Sequence, residues 1–245
     1  MRLKDKVALI TGGSGGIGQV TAFRFAQEGG KIVVQYHKNL ANAEGVVKNI
    51  KEIGGEAISH MADVRNRDDV KKMCEKAVDR FGTIDILVNY AGVARDALLY
   101  KMTEEQWDEV IDVNLKGSFN CAQFASIPMV KQKYGRIINI ASGAIKGQPG
   151  QANYSAAKSG LMGLTRTLAF ELGKFDIVVN CIALPVVGTE MSKNIEPEMR
   201  QEMINRTALK RIAKPTEIAN IALFFASDEC TFITGQTIEA RGGAR

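Results

Sequence analysis

Cysteine, histidine and proline are scarce in this chain. Its 245 residues include 4 cysteines, 2 histidines and 5 prolines. With so few soft ligands, the sequence argues against a structural zinc site, and we predict no metal site. We expect the thiols to be buried and reduced, as in a cytoplasmic protein. The cysteines are widely spaced and form no Cys-x-x-Cys pair: they are Cys74, Cys121, Cys181 and Cys230.

Long apolar runs and a strong excess of one charge are also missing. No apolar stretch is long enough to cross a membrane, and the polar start over residues 1–6 argues against a signal peptide. The net charge of +5, from 32 basic and 27 acidic residues, suits anionic ligands but is too small and mixed to indicate nucleic-acid binding. With 45% hydrophobic residues and no linker or repeat, the sequence predicts one domain over residues 1–245.

A glycine-rich segment follows the first apolar run. Residues 7–11 have the length and composition of a buried strand, and apolar residues recur at helical spacing over residues 20–26. Glycines between a strand and a helix permit a tight turn and let a pyrophosphate approach the helix N-terminus. A merely flexible turn is the alternative, but this context favours a dinucleotide site. The segment is Gly12, Gly13, Ser14, Gly15, Gly16, Ile17 and Gly18, with the spacing Gly-x-x-x-Gly-x-Gly.

Strand-like and helix-like segments alternate along the rest of the chain. Further strands are predicted at 31–36, 56–60, 84–89, 136–140, 176–181 and 236–239, and helices near 41–53, 67–81, 103–130, 152–173 and 215–226. This alternation predicts an α/β fold: a Rossmann-type, doubly wound sheet of seven parallel strands with helices on both faces. Ligands of such sheets bind at the carboxyl ends of the strands. Distinctive residues follow the strands there: Asp63-Val64, Asn89–Gly92, Ser142 and Pro185–Thr189.

Tyr154 and Lys158 are the most informative pair in the chain. Residues four apart on a helix share one face, so the pair places an ammonium close to a phenol. A nearby positive charge favours the phenolate and is expected to lower the pKa of Tyr154. Such a tyrosine can exchange a proton with an alcohol or a ketone. A surface pair without function is the alternative that the spacing alone leaves open.

Taken together, these segments resemble the short-chain dehydrogenase/reductase family over essentially the whole chain. Within that family, residues 150–160 are most similar to the 3-oxoacyl-(acyl-carrier-protein) reductases. The matching segments are residues 11–18, Asp63-Val64, Asn89-Tyr90-Ala91-Gly92, Asn114-Leu115-Lys116-Gly117, Ile140-Ala141-Ser142 and Tyr154-Ser155-Ala156-Ala157-Lys158.

The resemblance implies four catalytic roles. Tyr154 would protonate the carbonyl oxygen as hydride reaches the carbon, and Lys158 would lower its pKa and hold the nicotinamide ribose. Ser142 would donate a hydrogen bond to the substrate oxygen, and Asn114 would hold a water that links Lys158 to solvent. Without the family pattern, Asn114 reads as a helix residue that bonds to its own backbone, and Ser142 as a turn residue.

The end of the second strand bears on the choice of cofactor. Sites that select NAD place a carboxylate there for the ribose, yet no Asp or Glu occurs between Glu28 and Glu44. His37 and Lys38 could instead face a 2′-phosphate, so NADP(H) is favoured over NAD(H). An Arg that the family often has inside the turn is replaced by Gly15, and a solvated loop lysine is the alternative for Lys38. The resemblance further implies cofactor contacts from the turn residues, from Asp63 and Val64 at the adenine, from Asn89, Ala91 and Gly92 at the ribose, and from Val187 and Thr189 at the carboxamide.

Several positions depart from the family pattern. Leu184-Pro185 stands where Pro-Gly is expected, and Ser142 lies one residue closer to Tyr154 than usual, so its assignment requires a deletion in the 143–147 loop. Arg241 replaces an Asp in a region that often lies at a subunit interface, which bears on assembly. Tyr90 replaces the second Asn of Asn-Asn-Ala-Gly.

Substrate and partner are implied mainly by the resemblance. An acidic acyl carrier protein would meet a basic patch at Lys131, Lys133, Lys174 and Arg136. The alternative is that these residues are ordinary charges near helix ends. Residues 186–212 are expected to form a substrate lid, with an apolar lining or core stripe of Met191, Ile195, Met199, Met203 and Ile204.

Three functions remain open at this point. The first is an NADPH-dependent reductase that converts a 3-oxoacyl thioester to the (3R)-hydroxyacyl product in fatty acid biosynthesis. The second is a dehydrogenase for another alcohol, such as a sugar, a polyol or a steroid. The third is a catalytically weak cofactor-binding protein that serves as a sensor or oligomer partner. A homotetramer is the family expectation.

Overall fold

Parallel strands form the centre of the fold. The computed structural model describes residues 1–189, 192 and 196–244. The strands form one sheet in the order β3-β2-β1-β4-β5-β6-β7, and every neighbouring pair is parallel. The predicted doubly wound sheet of seven parallel strands is therefore confirmed. The strands are β1 Val7–Thr11, β2 Lys31–Tyr36, β3 Ala57–Met61, β4 Ile86–Asn89, β5 Gly135–Ser142, β6 Ile177–Leu184 and β7 Thr237–Glu239.

Helices cover both faces of this sheet because alternate residues of each strand point to opposite sides. One buried cluster contains Ile10, Val34 and Ile138 and packs against α1, α2 and α8, whereas the other contains Leu9 and Val33 and packs against α3, α5 and α6. The helices are α1 Gly16–Gln27, α2 Leu40–Glu52, α3 Arg67–Phe81, α4 Glu104–Ile111, α5 Gly117–Gln132, α6 Ala152–Leu172, α7 Pro197–Asn205 and α8 Pro215–Ala226.

Two predicted elements differ in detail. The helix expected over residues 103–130 is divided, because the π-helical turn Asp112–Lys116 joins α4 to α5. The sixth strand, predicted to end at residue 181, continues to Leu184, which pairs with Ser142. Both differences lie at the carboxyl edge of the sheet, where they shape the surroundings of Asn114 and Ser142.

The scarce residue types are placed largely as expected. All four cysteines are buried and free, which confirms the prediction that the thiols lie inside the fold. None of the described helices combines the length and the apolar composition needed to cross a membrane. The order of the strands reverses direction between β1 and β4, and this switch point marks the crevice in which such sheets bind ligands.

Candidate active site

The glycine turn has a backbone that side chains would obstruct. Gly12 and Gly16 have positive φ angles of 62° and 40°, a region that glycine enters without a steric penalty. A Cβ at Gly18, in the first turn of α1, would collide with the carbonyl oxygen of Gly12. These contacts explain the glycines at positions 12, 16 and 18. Around them, Ser14 and Ile17 are half-buried and Gly15 is exposed, so the turn is open to a ligand at the N-terminus of α1.

Gln35 holds the glycine turn in place, although the sequence did not identify it as a site residue. Its side chain is buried, accepts a hydrogen bond from the Gly12 N–H at 2.7 Å and donates one to the Ala62 carbonyl at 2.7 Å. The Gly13 N–H donates to the Gln35 carbonyl at 3.0 Å. Gln35 therefore fixes the glycine turn against the ends of β2 and β3. The available signal was a polar residue in the otherwise apolar run Ile32–Val34.

Tyr154, Lys158 and Ser142 come together at the ends of α6 and β5. Ser142 lies close enough to Tyr154 to lower the pKa of its phenol, and the Ser142 hydroxyl accepts the Ala144 N–H at 3.3 Å. The ammonium of Lys158 is buried, donates to the Ile140 carbonyl at 2.8 Å and lies 5.5 Å from the centroid of the Tyr154 ring. The neighbouring Ala141 is buried within a small apolar cluster. The end of β5 thus places Ser142, not Ala141, beside the phenol.

The expected lowering of the Tyr154 pKa is wrong for this structure. Burial raises the pKa of Tyr154, Ser142 opposes that rise, and the carboxylate of Asp96 adds to it. Burial is the largest of these effects, and the ammonium of Lys158 donates to the Ile140 carbonyl 5.5 Å from the centre of the ring. Burial in turn lowers the pKa of Lys158 from 10.5 to about 8. The phenol is therefore a proton donor at neutral pH, as reduction of a carbonyl requires.

Asn114 occupies the centre of the π-helical turn between α4 and α5. Its amide nitrogen donates to the carbonyl oxygens of Val93 and Val110, at 2.8 and 2.9 Å. Its Oδ1 is buried and accepts no hydrogen bond from any residue in the described part of the chain. A Cβ at Gly92 would lie 2.6 Å from this Oδ1 and 3.5 Å from Lys158 Nζ. Both polar atoms thus border the space above Gly92, where a water or a ligand hydroxyl could satisfy the free oxygen.

Asn153 orients the helix that carries Tyr154 and was also missed. Its fully buried amide donates to the carbonyl oxygens of Arg95 and Gln106, both at 3.0 Å. Its Oδ1 accepts the Tyr154 N–H at 2.7 Å. The first turn of α6 is therefore tied both to the segment before α4 and to the first turn of α4. An amide directly before the tyrosine was the only sequence signal.

The residues assigned to the adenosine end meet beyond β2 and β3. Arg65 forms hydrogen bonds with both carboxylate oxygens of Asp63, and this pairing is the main cause of the lowered pKa of Asp63. His37 Nε2 lies 3.7 Å from the same carboxylate. Lys38 is exposed. An adenine amine at Asp63 would share the carboxylate with Arg65.

The segment after β4 combines cofactor candidates with structural residues. The side chain of Asn89 is buried and its amide nitrogen donates to Asn139 Oδ1 at 2.9 Å, which ties β4 to β5, whereas its Oδ1 accepts no hydrogen bond from the described residues. The Ala91 N–H donates to the Thr11 hydroxyl at 3.1 Å, which places Ala91 and the exposed Gly92 next to the glycine turn. Val64, at the end of β3, is buried and packs against Gly117.

Tyr90 fills the space between this segment and α1. The Thr21 hydroxyl donates to the phenolic oxygen of Tyr90 at 2.9 Å, and burial raises the pKa of that phenol. The ring packs against the apolar cluster on the α1 side of the sheet. The replacement of the family's second Asn by Tyr90 is therefore accommodated by packing on α1.

Residues 187–189, at the start of the predicted lid, lie near the N-terminus of α1. The Gly188 N–H donates to the Ala213 carbonyl at 2.9 Å, and Val187 is buried. A Cβ at Gly16 would lie 3.6 Å from the Thr189 side chain. A cleft of about 730 Å³ separates the first turns of α1 from the lid; it is lined by Gly16, Gln19, Val20, Gly188, Thr189, Ser192, Pro197, Arg200, Gln201 and Pro215. Thr189 therefore closes over the glycine turn despite the altered Leu184-Pro185 sequence.

The predicted lid lining is only partly visible. Met191 and Ile195 lie outside the described residues. α7 carries no buried residue, Met199 is exposed, and Met203 and Ile204 are half-buried. The alternative prediction of a buried core stripe is therefore wrong for α7. The apolar side chains of this helix remain accessible to a ligand.

The predicted basic patch changes as well. Arg136 is 1% exposed: its guanidinium stacks on Tyr134 and donates to backbone carbonyls, so it is not a surface charge. Lys131 and Lys133 lie at the end of α5, next to the first residue of β5. Since Ser142 ends β5, these lysines lie at the opposite edge of the sheet from Tyr154.

Comparison with known proteins supports this architecture. A family model named adh_short_C2 and described as "Enoyl-(Acyl carrier protein) reductase" matches residues 12–245. The chain is 44% identical to the 3-oxoacyl-(acyl-carrier-protein) reductase FabG of Staphylococcus epidermidis over 98% of both chains. It is 43% identical to FabG of Thermotoga maritima over 99% of both chains. It is 45% identical to the 3-oxoacyl-(acyl-carrier-protein) reductase of Synechocystis over 98% of this chain and 97% of the relative.

The motifs, the sheet order and the full-length similarity agree with one another. The chain therefore belongs to the short-chain dehydrogenase/reductase family of NAD(P)-dependent oxidoreductases, which act on hydroxyl and keto groups.

Proposed function

We propose that this protein is an NADPH-dependent reductase that converts a 3-oxoacyl thioester, carried by an acyl carrier protein or by CoA, to the (3R)-hydroxyacyl thioester. One observation carries the proposal: the phenol of Tyr154 lies beside Ser142 and beside the buried ammonium of Lys158, at the same sheet edge as the glycine turn. The named reductases that are 43–45% identical over nearly the whole chain supply the substrate class.

The residues fit a dinucleotide. Gly12 and Gly18 approach each other so closely that a side chain would fill the turn, which leaves backbone N–H groups at the start of α1 for a pyrophosphate. The Oδ1 of Asn114, which accepts no hydrogen bond within the described ranges, faces the space bordered by Gly92 and Lys158. When bound, a dihydronicotinamide would supply the hydride that reaches the carbonyl carbon.

The protein's own groups would handle the oxygen of the substrate. Ser142 would donate a hydrogen bond to that oxygen and stabilise the negative charge that develops on it. Tyr154, kept protonated by burial, would transfer its proton to the oxygen, so that a neutral alcohol leaves. Lys158 lies next to the ring and would stabilise the phenolate that remains, and Asn114 would hold a water through which the phenol regains its proton.

The test is a spectrophotometric assay of purified protein with NADPH and acetoacetyl-CoA. We expect absorbance of the dihydronicotinamide to fall, and Tyr154→Phe to abolish turnover while the Kd for NADPH stays nearly unchanged. Crotonyl-CoA, the corresponding enoyl thioester, serves as a control because the family model that matches bears an enoyl reductase description. Two outcomes would contradict the proposal. One is that the protein reduces crotonyl-CoA but not acetoacetyl-CoA, and the other is that it reduces no short 3-oxoacyl thioester.

Selectivity for NADPH is part of the same proposal. It is supported by the lack of a carboxylate between residues 29 and 43 and by the position of His37, 3.7 Å from Asp63 at the adenosine end. We expect kcat/KM to be higher with NADPH than with NADH, and Lys38→Asp to reduce that preference. Lys48→Asp on α2, which changes charge at an exposed helix position, is the matched control. Equal effects of both substitutions would show that Lys38 does not meet the phosphate.

A further inference from the structure

Three departures from the family pattern meet at one point of the fold. The shortened 143–147 loop begins directly after Ser142, which pairs with Leu184 at the end of β6. A Cβ at Gly143 would lie 3.1 Å from Arg241 Nε and 3.6 Å from the Leu184 carbonyl oxygen. The guanidinium of Arg241 therefore lies next to the first residue of the loop, which itself adjoins the last residue of β6.

Arg241 is held there by its own segment. The Ala240 N–H donates to the Ala183 carbonyl at 3.0 Å, so the chain after β7 continues along the end of β6. The side chain of Arg241 is only 15% exposed and its Nη1 lies 3.1 Å from Glu239 Oε2. An arginine side chain this well covered is fixed in one position, unlike the long charged side chains of most surfaces.

The carboxylate of Glu239 also binds Lys146, near the far end of the 143–147 loop. Lys146 Nζ lies 3.0 Å from Glu239 Oε2. Both basic residues lower the pKa of Glu239, Lys146 more than Arg241, so the carboxylate is charged at neutral pH. The loop is consequently clamped at its start by packing of Arg241 on Gly143 and near its end by the Lys146–Glu239 ion pair.

We propose that Arg241 is a positioning residue for Ser142. With Glu239 and Lys146 it forms a clamp, the Arg241 clamp, that holds the shortened loop against β6. Since Gly143 directly follows Ser142, a restraint on Gly143 also fixes the end of β5 and with it the hydroxyl of Ser142. The arginine that replaces the family's aspartate supplies that restraint, and the inference rests on the proposed function only through the role of Ser142.

A double-mutant cycle tests this action through Ser142. We expect Arg241→Gln to lower kcat for acetoacetyl-CoA by about 10-fold to about 100-fold, the range produced by a misplaced catalytic group. In the Ser142→Ala background the same substitution should lower kcat by less than about 3-fold, because the hydroxyl that it misplaces is already missing. The Kd for NADPH should stay within about 2-fold in every variant. Arg241→Lys, which can still reach Glu239, should restore most of kcat.

Matched controls separate positioning from general destabilisation. Arg2→Gln breaks the Arg2–Glu229 ion pair at the other edge of the sheet and should leave kcat unchanged. Should Arg241→Gln fail to fold, Glu239→Gln, which breaks both ion pairs of the clamp, takes its place in the cycle. An equal loss of kcat in both backgrounds, or no loss in the unsubstituted background, would overturn the inference.

Hydrogen–deuterium exchange gives a readout that does not require turnover. We expect amides of residues 143–147 to exchange faster in Arg241→Gln than in the unsubstituted protein, while amides of the glycine turn exchange at the same rate. If the unsubstituted protein reduces no 3-oxoacyl thioester, the proposed function fails, and this measurement still decides whether Arg241 holds the loop. Unchanged exchange of the loop would overturn the clamp even in an active enzyme.

Discussion

Replacing Lys158 by methionine should make the protein more stable at neutral pH while abolishing its activity. The ammonium of Lys158 is 4% exposed, and burial lowers its pKa from 10.5 to about 8. Since one pKa unit corresponds to 1.36 kcal/mol, keeping this group charged in the folded protein at pH 7 opposes folding by about 3 kcal/mol. Methionine fills a similar volume without the charge.

The hydrogen bond to Ile140 reduces the expected gain. Lys158 Nζ donates to the Ile140 carbonyl at 2.8 Å, and its loss costs about 1 kcal/mol. We therefore expect Lys158→Met to raise the free energy of unfolding at pH 7 by about 2 kcal/mol. For a chain of this length, that gain corresponds to a rise in Tm of about 4–8 °C.

The pH dependence has a definite sign. Between pH 8 and pH 10.5 the unfolded chain holds a proton on Lys158 that the folded protein has released, so this group makes stability rise with pH in that window. The advantage of Lys158→Met should therefore be greatest below pH 8 and shrink as the pH approaches 10.5. Comparing the two proteins at each pH cancels the contributions of other groups.

Chemical denaturation at pH 7 and pH 9.5, at one protein concentration, measures both effects. Lys158→Arg is the control, because it keeps a charge that does not titrate in this range. A methionine variant that is less stable than the unsubstituted protein at pH 7 would refute the reasoning. So would an advantage that stays constant between the two pH values, since burial of a titrating charge could not then be its cause.

Three further substitutions test the surroundings of the site. Gly18→Ala should weaken NADPH binding at least about tenfold in a fluorescence titration, because the added methyl would push the Gly12 carbonyl out of the turn. Gln35→Leu should lower the free energy of unfolding by about 2–4 kcal/mol in denaturant titrations, since two backbone groups lose their partner. A carboxylate cannot donate to the Ala62 carbonyl, so a Gln35→Glu variant as stable as the unsubstituted protein would contradict this account. Tyr90→Phe should cost about 1 kcal/mol through loss of the Thr21 hydrogen bond, with kcat nearly unchanged, and a large fall in kcat would show that Tyr90 touches the cofactor.

The fold was predictable because its signals are local. The buried run Val7–Thr11, the glycine turn and the helical spacing after it identify a strand–turn–helix unit without knowledge of the partners. Strand–helix alternation then fixes the parallel sheet, since crossovers are right-handed and short. The pairing of Tyr154 with Lys158 follows from helical spacing alone.

What the sequence could not provide are contacts between distant segments. The apolar pattern runs through residues 103–130 without interruption, so the π-helical turn at Asn114 left no periodic signal. Arg136 was expected at the surface because arginine usually is exposed, but its guanidinium is covered by Tyr134 and by backbone carbonyls. The direction of the Lys158 ammonium depends on β5, which is 18 residues away at Ile140.

Unfavourable features concentrate at the same sheet edge. Lys158 is charged and buried, Asn114 Oδ1 receives no hydrogen bond from the residues that the structure describes, and the phenol of Tyr154 is held in a covered position. Each of these features opposes folding in the absence of a ligand. Buried polar groups are usually satisfied. A fold that leaves Asn114 Oδ1 without a donor, beside a buried ammonium that has one backbone acceptor, therefore favours a ligand that completes these hydrogen bonds.

This arrangement links the stability of the protein to the binding of its ligand. A ribose with two hydroxyl groups could give Lys158 an acceptor, and a water at Asn114 could give its oxygen a donor, so binding would recover free energy that folding alone leaves unused. Substitutions that remove the charge or the free oxygen should then stabilise the free protein and reduce the stabilisation that NADPH provides.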